Sequence, residues 1–124
     1  MGKYEEIAQT QVAGLNEAII SVLSKHIGAD AALSRSDLVT EVARLLGEKV
    51  HERKVREGIR ALRRMGAPIC GAAGEGGGYY LAANAEELED FFRREFIAKI
   101  KDMRETMEAM KAAARLVFRE GKNG

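Results

Sequence analysis

Apolar residues mark out five successive segments along the chain. Leu15, Ile19, Val22, Leu23 and Ile27 fall on one face of a helix, and Gly28 stands where a C-cap would end it. Residues 1–14 carry weak signals, either a fraying end or an extension of that helix. A short loop, 29–33, follows. Ser34 with Asp37 three residues on has the form of a capping box, Asp replacing the usual Glu. Leu38, Val42, Leu45 and Leu46 then supply the buried face of a second helix, which Gly47 stops. A third helix is predicted from His51 to Met65. In it Val55, Ile59 and Leu62 lie within roughly 60° of one another at about 100° per residue. Gly66 and Pro68 close it.

Beyond Pro68 the period changes. Between Pro68 and Leu81 two short apolar runs flank a glycine-dense turn and predict a β-hairpin. Asn84 is placed as the N-cap of a final helix, with Glu87 at N3 completing a capping box. Glu86, Glu87, Glu89 and Asp90 put negative charge at its positive end. From Ala85 to Phe118 there is neither Gly nor Pro, so the helix would extend about 50 Å. Phe96, Ile100, Met103, Met107, Met110, Ala114 and Val117 recur at alternating steps of four and three, a heptad stripe. Such a stripe must be covered, by a second copy in a coiled coil or by folding back on the N-terminal helix. Its strict period is narrower than a core-facing helix needs, which favours the dimer. Met and Ala would make the seam soft. Phe91, Phe92 and Phe96 form an aromatic cluster, read first as core where the long helix begins and second as a partner site. The division predicted is 1–83 and 84–120.

The chain of 124 residues has 46% hydrophobic residues, enough for a core. Its lone Cys70 excludes an internal disulfide and suits a reducing compartment. No apolar run reaches membrane-spanning length, and the N-terminus lacks the apolar region of a signal peptide. These features predict a cytoplasmic protein. Net charge is only +1, but its distribution is uneven. From Glu48 to Arg64 there are seven basic and three acidic residues, a local +4, whereas from Ala85 to Phe118 seven basic residues face eight acidic ones. Arg53, Glu57, Arg60 and Arg64 share the face of the third helix opposite its apolar triplet. A helix fits the major groove of B-DNA, where arginines form bidentate hydrogen bonds to guanine and others hold phosphates.

The run His51-Glu-Arg-Lys-Val-Arg-Glu-Gly-Ile-Arg-Ala-Leu-Arg-Arg-Met-Gly-Ala-Pro-Ile, followed by Gly76-Gly-Gly-Tyr-Tyr-Leu, resembles the winged-helix domains of biotin-repressor and DeoR/WYL-type bacterial regulators. A looser likeness is to small prophage-encoded winged-helix proteins. The resemblance covers roughly residues 15–82 and lies chiefly in the third helix and the hairpin. It implies a winged helix-turn-helix, and with the long C-terminal helix read above the expected fold is mainly α with a small β-hairpin. It implies DNA contacts from Arg53, Lys54, Arg56 and Arg60, a wing tip at Gly76, Gly77 and Gly78, and Tyr79 and Leu81 packed beneath. His51 stands where the family often has Ser or Thr, and Gly58 where it usually has an acidic residue. The wing carries Glu75 and no Lys or Arg, leaving only its backbone N–H groups for phosphates.

Other chemistry finds little support. A solvated helix face with Glu52 and Glu57 as intrahelical partners is the plain alternative for the basic residues. The glycine turn lacks the Gly-Lys-Ser/Thr of a phosphate loop and leads into a strand. His26, His51 and Cys70 fall at no metal-ligand spacing, and no nucleophile–base pair stands out. The expectation is therefore a non-enzymatic, cofactor-free homodimer bound to double-stranded DNA. Arg53 and Arg60 would read bases, and Lys54, Arg56 and Arg63 would hold phosphates, with Arg64 on the same face. The rival is a winged-helix interaction module, such as a phage or replication accessory protein, whose basic face or Met-rich helix docks another protein.

Overall fold

A computed structural model describes residues 14–74 and 77–123. Expectations for residues 1–13, for Glu75 and for Gly76 lie outside the described residues. In chain order the elements are α1 (Leu15–Leu23), a 3₁₀ turn (Ala29–Ala31), α2 (Arg35–Leu46), α3 (Glu52–Arg64), β1 (Ile69–Gly71), β2 (Tyr79–Leu81), α4 (Ala85–Phe91), a π-helical segment (Phe92–Ile97) and α5 (Ala98–Asn123). The chain is mainly helical with one two-stranded antiparallel hairpin and a long C-terminal helix. It divides into two compact units, one extending through Leu88 and the other from Glu89, five residues beyond the predicted division.

The first unit has a single core built from α1, α2, α3 and the hairpin. α1 buries Ala18, Ile19, Ile20, Val22 and Leu23, α2 buries Leu38 and Val42, and α3 buries Val55, Ile59 and Leu62. Ile69 and Leu81 close the core from the hairpin. The apolar period of α1 suggests a helix through Ile27, but α1 stops at Leu23 with Ser24 as its C-cap. Gly28 is thus not its C-cap but stands at the N-cap position of the 3₁₀ turn. The backbone beyond Ser24 pairs with the hairpin instead: Leu81 N–H donates to His26 O at 2.9 Å and Gly28 N–H to Leu81 O at 2.8 Å. Ile27 therefore leaves the helix face and is largely exposed.

The segment expected as loop between α1 and α2 contains the 3₁₀ turn and ends at Leu33, which exchanges two 2.9 Å backbone hydrogen bonds with Tyr79. β2 thus has β1 on one side, in the register Ile69↔Leu81, Cys70↔Tyr80, Gly71↔Tyr79, and residues Ile27 and Leu33 on the other. The next residue, Ser34, caps α2 by accepting Asp37 N–H on Oγ at 3.1 Å. α2 ends at Gly47 in the left-handed region, φ +71°. Leu45 does not join the core as expected. It is exposed, while Leu46 packs against the core.

Asn84 Oδ1 accepts Glu87 N–H at 2.8 Å, half of the expected capping box. The Glu87 carboxylate accepts from Ala83 N–H at 2.8 Å and from Ala29 N–H at 3.0 Å. That second bond ties the start of α4 to the 3₁₀ turn, and it accounts for the first unit extending past the predicted boundary.

In the second unit the expected α-helix over 85–118 is interrupted by the π-helical segment, which widens the turn. The Phe91, Phe92 and Phe96 rings pack together there, with centroids 5.2–6.2 Å apart. Phe96 belongs to this cluster and to the wider turn, so the regular heptad stripe starts at Ile100 in α5. Along it Ile100, Met103, Met107, Met110 and Val117 are exposed and Ala114 is half-buried. Ile97, Leu116 and Phe118 add exposed apolar surface off the stripe. No helix among the described residues is long and apolar enough to cross a membrane.

Candidate nucleic-acid interface

α3 is more strongly amphipathic than α1, α2 or α5, and its burial follows. Val55, Gly58, Ile59 and Leu62 face inward. Gly58 has a packing role that composition hides. A Cβ there would lie 2.6 Å from Ile19 Cδ1 and 2.9 Å from Asn16 Oδ1, so the missing side chain lets α1 and α3 approach closely. The helix cost of glycine, about 1 kcal/mol against Ala, is offset by that approach. His51 is the N-cap residue in extended conformation, without a side-chain cap.

With the apolar side anchored, Arg53, Lys54, Arg56, Glu57, Arg60 and Arg64 are exposed. Glu57 sits 3.5 Å from Arg53 Nε and 3.7 Å from Lys54 Nζ. These ion pairs are water-exposed and worth little to stability, so a phosphate can replace the carboxylate at small cost. Arg56, Arg60 and Arg64 have no carboxylate partner among the described residues.

Arg63 stands apart from this group. It is half-buried, donates from Nε to Ile69 O at 2.8 Å, and lies 6.0 Å over the Tyr79 ring. The expectation that it mainly holds phosphates is corrected accordingly: its first task is to join α3 to the hairpin, because the flank it occupies faces β1. Tyr79 is half-buried and Leu81 fully buried, so both pack beneath the hairpin.

At the hairpin, Gly77 (φ +60°) and Gly78 (φ +123°) both adopt conformations that side chains resist. Gly78 is buried, and a Cβ there would lie 2.6 Å from Leu33 O. A Cβ on Gly77 would lie 2.8 Å from Arg35 Nη2 and 3.0 Å from its Cζ and Nε. The guanidinium of Arg35, the first residue of α2, thus occupies the space that a side chain on residue 77 would need. Sequence reasoning missed this residue, since an isolated Arg at a helix start carries no periodic signal. The only local clue was that the hairpin has a glycine tip and no cation of its own.

The seven predicted seam residues, Phe96 to Val117, all belong to the other unit. No group of three or more His, Cys, Asp or Glu gathers to hold a metal among the described residues. Comparison of the chain with protein-family models, with curated proteins and with solved structures finds no match.

Proposed function

We propose that the chain is a DNA-binding protein built on a winged helix-turn-helix, with α3 as the recognition helix, and that it acts as a homodimeric transcriptional regulator. One observation carries the reading: Arg53, Arg60 and Arg64 are exposed opposite the buried Val55–Ile59–Leu62 face that anchors α3, with Lys54 and Arg56 exposed on its flanks. An anchored basic helix of this kind suits the major groove. Supporting it are the order of elements, helix–helix–basic helix–hairpin, and the pairing of Leu33 with β2 beside the hairpin. Arg60 and Arg53 are assigned to base edges, and Lys54, Arg56 and Arg64 to phosphates.

Fluorescence anisotropy with a mixed-sequence duplex at several salt concentrations tests the reading. Binding that weakens steeply as salt rises is expected, because phosphate neutralisation releases counterions. No binding even at low salt overturns it and favours the protein-docking reading. On a selected target site, Arg60→Ala is expected to weaken binding by about 1–3 kcal/mol and to relax preference at one base pair. Unchanged affinity would show the groove face wrongly assigned.

The dimer is assigned to α5. Met103, Met107 and Met110 line one face of it, and Met103 and Met110 are each about two-thirds exposed in the single chain. Met107→Glu places a carboxylate in mid-seam from each copy, and light scattering should then report a monomer where wild type is dimeric. A monomeric wild type at micromolar concentration would remove the dimer from the proposal.

A further inference from the structure

The hairpin presents a problem for the DNA reading, because its turn offers no cation to a phosphate. Two arginines from two different helices nevertheless converge on its return segment. Arg63 of α3 lies over the Tyr79 ring, and Arg35 of α2 lies against Gly77, two residues earlier. Arg63 is placed by its bond to Ile69 O, and Arg35 by the pairing of Leu33 with Tyr79, which brings the start of α2 alongside β2. The glycine at 77 is what leaves room for the Arg35 guanidinium. Arg35 is exposed and has no carboxylate partner among the described residues. An exposed guanidinium beside the hairpin, with no carboxylate to neutralise it, suits the paired oxygens of a phosphate.

We infer that Arg35 supplies the phosphate contact of the hairpin, so that the cation serving this part of the interface comes from α2 and not from the hairpin's own sequence. The inference rests on the DNA-binding reading and adds to it a contact outside α3. The contact is to backbone phosphate, so it strengthens binding to every sequence alike and carries no base preference.

The experiment is the salt dependence of duplex binding for wild type, Arg35→Ala, Arg35→Lys and Arg60→Ala, with thermal melting of each as a fold control. Loss of one phosphate contact should flatten the slope of log K against log salt by about 0.9 for Arg35→Ala. Its affinity should fall equally on target and mixed-sequence duplexes, and its melting temperature should stay near wild type. Arg35→Lys should recover most of the slope. If Arg35→Ala keeps the wild-type slope while Arg60→Ala still weakens target binding, the Arg35 contact is overturned and the DNA reading stands. If wild type binds no duplex at low salt, both fall.

Discussion

Replacing Ile59 with alanine should destabilise the first unit by about 2–5 kcal/mol, the usual cost of emptying a buried aliphatic site. Ile59 is 2% exposed and shares the core with α1, α2 and the hairpin, so neighbours on several sides resist collapse into the space. Against the 5–15 kcal/mol that holds a typical domain folded, this is a large fraction. The thermal midpoint should fall by roughly 10 °C or more, and urea unfolding should show a lower midpoint at unchanged slope. Ile59 also fixes which face of α3 points outward, so the proposed DNA binding should weaken once the unit begins to loosen, and not before. A midpoint within a degree or two of wild type would mean that α3 is not seated through this residue.

Gly78→Ala is expected to be nearly as damaging, for a different reason. The new methyl would lie 2.6 Å from Leu33 O, a backbone atom that cannot swing away, and the backbone at φ +123° is strained for any L side chain. Strain at such a position costs about 1–3 kcal/mol, and overpacking adds about as much again. The relief available is to break the Leu33–Tyr79 pair, which would also release Arg35 from the hairpin. Gly47→Ala separates the two costs: its φ is +71° but nothing lies within 4 Å of the added Cβ, so it meets only the conformational one. Gly78→Ala should therefore unfold at clearly lower denaturant than Gly47→Ala. Equal stabilities would show that the hairpin yields freely and that the close passage at Leu33 does not constrain it.

The basic face of the candidate interface was legible because it is periodic. Arg53, Glu57, Arg60 and Arg64 repeat with the helix, and burial of Val55, Ile59 and Leu62 leaves them one direction to point. Arg63 and Arg35 were not legible in the same way. Arg63 sits within the same charge cluster in sequence, yet its flank of α3 meets the carbonyl of Ile69. Arg35 is 18 residues from Arg53, where the basic face of α3 begins, and meets Gly77 only because Leu33 pairs with Tyr79. Both outcomes depend on contacts between elements, which no local pattern carries.

Local chemistry along the chain was enough to determine where most elements lie and how several of them end. Ser34 and Asn84 cap because a short polar side chain reaches the free N–H groups of a first turn, and Gly47 stops α2 because it tolerates the left-handed region. These are interactions within a few residues, and so they are written in the sequence at short range. The early end of α1, the pairing of Ile27 and Leu33 with β2, the need for glycine at 58, and the π-helical turn in the Phe91–Phe92–Phe96 cluster were decided only by the tertiary structure. In the first and third of these, a helix gave up hydrogen bonds or a side chain so that two distant segments could meet. The gain that settles such exchanges is shared burial and strand pairing, which arises only once the chain has folded.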